Sequence, residues 1–400
     1  MSLAVLAWRY LWARPLAAVL NLLLLTLGLA SITFVVVVGD QVTRAFQRDL
    51  AGVDLVVGAK GSPLQLILAG VFHIDVPPGN IALRDVRDLA ARPEVAETIP
   101  LSLGDSLRGF RIVGTTPAWL AHYRLRYAQG AAWRAPMEAV LGAQVARATG
   151  LQSGATFLGT HGLGALGHSH GDTPYRVSGV LAPCGCVADR LVLTSLESVW
   201  QVHEDALATD LEDRKALEDH REVTMALVRY RSPLAAASFP RYINNATDMQ
   251  AASPAIEVTR LLRLLGVGGE VLRGVGAVLL LTAALSVFIA LWTAVRERRA
   301  DLAMLRMLGA SPLQVGGLLL AEGLWLAAMA SVLGLLAGHG LAALVGSVLQ
   351  AQQSLPLAGW QWAPGEAWIP VAAFAAAGLA ALVPAASAYH VDVARLLQQR

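Results

Sequence analysis

The chain has 400 residues, 55% of them apolar and only 15% charged, with a mean hydropathy of +0.53. That is too apolar for an ordinary soluble protein and sets a membrane class as the first expectation. A net charge of +2 is too small to point to a nucleic-acid partner.

In chain order, residues 1–15 place Leu3, Leu6, Ala7, Tyr10 and Leu11 at helical spacing, with Trp8 and Trp12 beside them. This predicts a short helix on the membrane surface. Residues 16–38 carry no charge and predict a first span. The stretch is longer than a signal-peptide core and no small-x-small cleavage site follows, so it reads as an uncleaved anchor. Residues 39–273 are long enough for one or two cores outside the membrane. Their pattern is mixed: strands over 54–57, 108–113, 175–181, 190–193 and 223–230, and helices over 84–91 and 139–149. Gly150 is the C-terminal stop of the second helix. Residues 195–219 carry charges at helical spacing. Residues 256–273 read as a helical stalk, with Gly266, Gly268 and Gly269 as a hinge.

Three further spans are predicted over 274–295, 313–349 and 367–389. A helix rising about 1.5 Å per residue needs roughly 20 apolar residues to cross the hydrocarbon core. The fold class is therefore an α-helical membrane protein with four transmembrane helices in a 1+3 layout. A large α+β extracytoplasmic domain lies between the first and second. Arginines set the orientation. Arg9 and Arg14 precede the first span, Arg296, Arg298, Arg299 and Arg306 lie between the second and third, and Arg395 and Arg400 follow the fourth. The loop 350–366 has no Lys or Arg. Both termini, including the tail 390–400, and the arginine segment are thus expected in the cytoplasm.

Residues 296–312 are the most informative segment. Leu302, Met304 and Leu305 share a side, Arg298, Asp301 and Arg306 offer charge, and Gly309 is a good helix stop before Pro312. A topology signal needs charge but no amphipathic pattern, so the segment reads as a docking helix for a soluble partner. In that reading Leu302 and Leu305 insert into the partner and Arg298, Asp301 and Arg306 ring them. The chain has no G-x-x-x-x-G-K-[ST] phosphate loop, so an ATPase activity would belong to the partner.

These residues resemble the FtsX/MacB-type permeases of ABC transporters. The family pattern V-x-E-R-x-x-E-I-x-x-L-R-x-L-G-A-S is approximated by Val295, Glu297, Arg298, Asp301, Leu302, Leu305, Arg306, Leu308, Gly309, Ala310 and Ser311. The closing stretch 384–397 is similar to the family's C-terminus, with Val393 where a proline usually stands. The stretch 139–154, AVLGAQVARATGLQSG, is similar to a helix and turn of the MacB-like periplasmic core. The resemblance implies a permease subunit in the bacterial inner membrane, paired with a separate ABC-type ATPase that holds ATP and Mg. Four spans enclose little volume, so two copies of the chain are expected. Its mechanism would be mechanotransmission, acting outside the membrane on a lipoprotein, peptide, amphiphile or partner protein. Two alternatives stand beside this: an FtsX-like transducer that regulates a periplasmic hydrolase, and metal-linked transport.

The metal alternative comes from His161, His168, His170 and Asp172, which could complete a zinc shell with Cys184 and Cys186. The five glycines between 159 and 171 favour a plain linker instead. A bridge across one residue is strained, so the two cysteines are expected as free thiols. His203-Glu204 begins like H-E-x-x-H, but Leu207 ends the match. No catalytic set is identifiable from spacing. Glu322 is expected to snorkel from the membrane interface, and His339 to be a packing or hydrogen-bonding group among small residues.

Overall fold

The computed structural model describes residues 2–161, 173–204, 217–218, 220–297, 299–351 and 358–389. It divides into two compact units. One comprises Met1–Val42 with Leu264–Arg400, the other Thr43–Arg263.

The first unit is helical. Leu3–Trp12 is followed by Pro15–Asp49, the helix of the first span. Pro254–Glu297 ends in the second span, Pro312–Ala351 forms the third and Trp368–Tyr389 the fourth. All four are long and apolar enough to cross a membrane. Their shared core is built from Leu25, Leu29, Val287, Leu291, Leu319, Leu326, Ala330 and Ala381. Small residues set the helix spacing. A Cβ on Gly276 would come within 2.7 Å of Ile32, and one on Gly334 within 2.6 Å of Leu29. One on Gly338 would come within 2.5 Å of Thr33. Close backbone approach replaces hydrophobic driving force inside a bilayer, where lipid tails are as apolar as leucine.

Two expectations fail here. The helix Pro254–Glu297 runs unbroken through Gly266 and Gly268, so no hinge interrupts it. Once i→i−4 bonds form on both sides, a glycine costs only about 1 kcal/mol and does not open the ladder. Glu322 does not snorkel: it is 4% exposed. It lines a cavity of about 40 Å³ with Tyr10, Arg14 and Asn21, polar neighbours that spare it the cost of an unpaired buried carboxylate.

The second unit is an α/β domain. Its strands are β1 (Leu55–Ala59), β2 (Ile81–Ala82), β3 (Val95–Leu107), β4 (Phe110–Thr115), β5 (Tyr127–Gly130), β6 (Glu138–Leu141) and β7 (Thr156–Phe157). They continue with β8 (Thr160–His161), β9 (Tyr175–Leu181), β10 (Val192–Ser195), β11 (Glu222–Val223), β12 (Met225–Tyr230) and β13 (Met249–Ala252). The main sheet runs β13-β1-β12-β3-β4-β10-β6-β9-β5. Pairing is antiparallel except for β10 with β4 and β6 with β9. The long strand β3 joins two lobes, pairing with β12 through its first half and with β4 through its second. One lobe packs Leu55, Val57, Val86, Leu89, Phe239 and Ile243. The other packs Phe110, Ile112, Leu141, Val145, Tyr175 and Val177.

The segment 139–149 is not one helix. Ala139 to Leu141 belong to β6, and the helix covers only Ala143–Thr149. Gly142 is the reason: a Cβ there would lie 2.2 Å from the Ala188 carbonyl oxygen. The chain therefore turns from strand to helix against a neighbouring backbone, a contact that lies outside the local pattern. Gly150 caps that helix in the left-handed region, as expected.

Candidate functional site: the helix between the second and third spans

The predicted docking helix forms over Arg299–Met307. Its ending is specified by sequence. Gly309 sits at φ +98°, where a side chain would be strained. Gly309 N–H donates to the Arg306 carbonyl at 3.1 Å and Ala310 N–H to the Leu305 carbonyl at 2.9 Å. Together these bonds make a Schellman cap. The next helix starts at once. Ser311 Oγ accepts from Gln314 N–H at 3.3 Å, while Gln314 Oε1 accepts from Ser311 N–H at 2.8 Å. This is a reciprocal capping box with Pro312 at the first helical position. The run Leu308-Gly-Ala-Ser-Pro thus encodes a stop and a restart, which fixes the short helix against the span.

Burial shows which described residues of this segment are exposed. Leu305 is half-buried and packs, with Ala310, on the core of the spans. Part of its side chain is thus already committed to packing on the spans. Leu302 lies within the same helix, and Arg298 lies outside the described residues. Arg306 is half-buried and engaged in an interaction of its own. The exposed face instead carries Asp301, Met304, Met307 and Leu308, followed by Leu313. Met304 and Met307 are 52% and 56% exposed, and Leu308 is 85% exposed. Positions 301, 304 and 308 are spaced i, i+3, i+7, so they form one stripe. Methionines on such a stripe adapt to an irregular partner surface.

The same end of the bundle is braced. Arg14, at the head of the first span, pairs with Glu297, just before the helix Arg299–Met307. Trp8 packs edge-on against Trp12 and Trp325, and Trp325 Nε1 donates to the Ala4 carbonyl at 3.1 Å. Asn21 and Ser286 are joined by a hydrogen bond between the first and second spans.

The structure describes only part of the candidate metal set. His168, His170 and Asp172 lie outside the described residues. His161 is in β8, paired with Asp105 of β3. Cys184 and Cys186 form a disulfide, contrary to the expected free thiols, so neither is a thiolate that could hold zinc. The turn itself makes the bridge possible. Gly185 adopts φ +63°, and Asp189 accepts from the N–H groups of Cys184 (3.0 Å) and Gly185 (2.7 Å). Among the described residues no group of three or more His, Cys, Asp or Glu side chains could hold a metal ion. The disulfide loop has another role. Its Gly185 carbonyl accepts from Arg48, and Val187 N–H donates to Asp49 Oδ1 at 3.1 Å. Both partners lie in the last turn of the helix Pro15–Asp49.

Nearby, His73 is buried at φ +54°. Among the described residues neither of its ring nitrogens has a hydrogen-bond partner. Burial, and then the Arg111 and Arg190 guanidiniums, hold its protonation well below the usual histidine range. Sequence reading missed this residue, and nothing in its local pattern marks it.

The family comparison agrees with this layout. Residues 273–392 match a family model described as FtsX-like permease C-terminal. Residues 18–245, more than half of the chain, match one described as MacB-like periplasmic core domain. The chain belongs to the MacB/FtsX family of ABC-transporter permeases. Permeases of this family work with ABC-type ATPase subunits, and the four apolar helices make this one a multi-pass membrane protein. Two solved structures are similar to the permease. The periplasmic region of MacB from Actinobacillus actinomycetemcomitans shares 11% identity at a TM-score of 0.35, covering 53% of this chain and 95% of that one. The extracellular domain of the noncanonic ABC-type transporter YknZ from Gram-positive bacteria shares 11% identity at a TM-score of 0.31, covering 50% and 99%. No curated protein matches the permease.

Proposed function

We propose that the permease transmits ATP-driven motion from a cytoplasmic ATPase subunit to its inserted domain on the far side of the bacterial inner membrane. The observation that carries this is the exposed apolar stripe of Met304, Met307 and Leu308, held by a capped turn against the spans. An apolar patch rimmed by charge is what a soluble partner grips. ATP and Mg belong to that partner. Two helices, Pro15–Asp49 and Pro254–Glu297, connect the spans to the inserted domain along the chain.

The arginine distribution supports cytoplasmic termini and a cytoplasmic docking helix. The Cys184–Cys186 disulfide supports an inserted domain in the oxidising periplasm. Four spans enclose little volume, which favours two copies of the permease with two ATPase subunits. The work is done outside the membrane on a lipoprotein, peptide or amphiphile. Thiol labelling in whole cells tests the arrangement. Met307→Cys is expected to react only after permeabilisation, and Arg84→Cys, on an exposed side chain of the inserted domain, from outside. The reverse pattern at either position overturns the reading.

A further inference from the structure

The end of the third span holds a buried pair that the docking helix does not use. His339 is 3% exposed and Glu366, at the head of the fourth span, is 1% exposed. His339 Nδ1 lies 2.6 Å from the Gly359 carbonyl oxygen, and Nε2 lies 2.8 Å from Glu366 Oε2. The other carboxylate oxygen, Oε1, accepts from Ala363 N–H at 2.6 Å.

Proton counting follows from these partners. A carbonyl oxygen only accepts, so Nδ1 carries a hydrogen. One more proton must then lie between Nε2 and Oε2. Either imidazolium faces carboxylate or neutral imidazole faces carboxylic acid, and both states are neutral overall. Remove that proton and a lone pair faces a carboxylate, leaving a net negative charge with almost no exposure. That arrangement loses a hydrogen bond and strands a buried charge.

The pair sits inside a fastened loop. Gln41 of the first span binds the backbone of Ala358 twice, Nε2 donating to its carbonyl at 2.7 Å and Oε1 accepting from its N–H at 2.8 Å. Gly359 presses on the third span, where a Cβ would lie 2.2 Å from that of Ala343. Trp360 stacks on the His339 ring at 5.7 Å and 7°, and Trp362 lies at 5.5 Å, tilted by 57°. The first span also contributes Thr33 at Gly338 and Val36 at Gly365, and neither titrates. Asp40 and Arg44, further along that helix, are engaged in interactions of their own. Among the described residues the only ion pair to either side chain is the one between them.

We propose that His339 and Glu366 form a proton-binding site that latches residues 358–366, at the head of the fourth span, onto the first and third. The latch is closed while the pair holds its proton and released when the proton is lost. Opening of this end of the bundle is therefore linked to proton release, independently of which ATPase drives it and of which side of the membrane the loop faces.

Tryptophan fluorescence of the full-length permease in detergent, followed across a pH series, tests this. The parent is expected to show a one-proton transition. Trp360→Phe should remove most of its amplitude, because the stacked indole is the reporter. Glu366→Gln keeps both bonds without the titrating proton, since its amide can donate to neutral Nε2 while Nδ1–H still donates to Gly359. That variant is expected to fold and to lose the transition. A parent signal that stays flat overturns the proposal. So does a Glu366→Gln variant that retains the transition at the parental midpoint.

Discussion

Replacing Met304, Met307 and Leu308 together by alanine tests the docking surface directly. Full burial of a Met or Leu side chain contributes about 1.5–3 kcal/mol. Scaled by exposures of 52%, 56% and 85%, covering all three is worth about 3–6 kcal/mol. Ordering of the flexible methionines offsets part of this, so the lower end applies. A loss of about 3 kcal/mol corresponds to roughly a 100-fold weaker complex. Membrane insertion should be unaffected, because the spans and their flanking arginines are untouched. The contrast is Leu305→Ala. Leu305 packs on the span core, so its truncation should cost about 1–2 kcal/mol of stability and leave association near the parental value. The assay is affinity capture of the ATPase subunit by detergent-solubilised permease, with binding measured over a concentration series. Parental affinity in the triple variant, or loss confined to Leu305→Ala, refutes the assignment of the docking face.

Three further outcomes are expected. His73 starts from an ordinary value of 6.5 and is held well below it in the fold, so below pH 6.5 the unfolded chain takes up a proton that the folded one refuses. Taken alone, His73 should therefore lower the stability of the inserted domain by about 1.4 kcal/mol per pH unit as pH drops below that value, while Asp49, whose carboxyl burial raises to about 6, acts in the opposite sense below that pH. Pulse proteolysis in urea reads this slope, and His73→Asn should reduce it without abolishing it, because burial lowers His122 in the same sense. Replacing Cys184 and Cys186 by serine removes a very short covalent loop, so the entropic loss is only about 1–2 kcal/mol. The sharper effect should be faster hydrogen exchange at Val187, whose N–H binds Asp49. Gly142→Ala should destabilise the domain by about 1–3 kcal/mol, because its methyl meets backbone rather than a movable side chain. Thermal denaturation of the full-length protein would detect it, and an unchanged midpoint would contradict the close approach.

Much of this architecture was legible in the residues alone. The four spans, the helix Arg299–Met307, its Gly309 stop and several strands of the inserted domain follow from periodicity and charge, because each depends on interactions within a few residues. Hydropathy needs only a window, and a Schellman cap needs only a glycine in place. The family resemblance was carried by the same local runs. What tertiary structure alone decided is which face of a helix is left over. Leu305 and Met304 are neighbours with similar local claims to the partner surface. Only packing on the spans turns Leu305 inward and leaves Met304, Met307 and Leu308 outside. The strand at Ala139 to Leu141 was hidden for a related reason: its fate depends on the Ala188 carbonyl, which forbids a side chain at Gly142. The partner of His339 lay 27 positions away, in a carboxylate that no pattern marks. The disulfide went the same way, because an Asp189 turn and the end of the first span's helix hold Cys184 and Cys186 together. Local sequence specifies the elements, whereas burial and long-range hydrogen bonds assign their faces, since those energies exist only once the chain has folded.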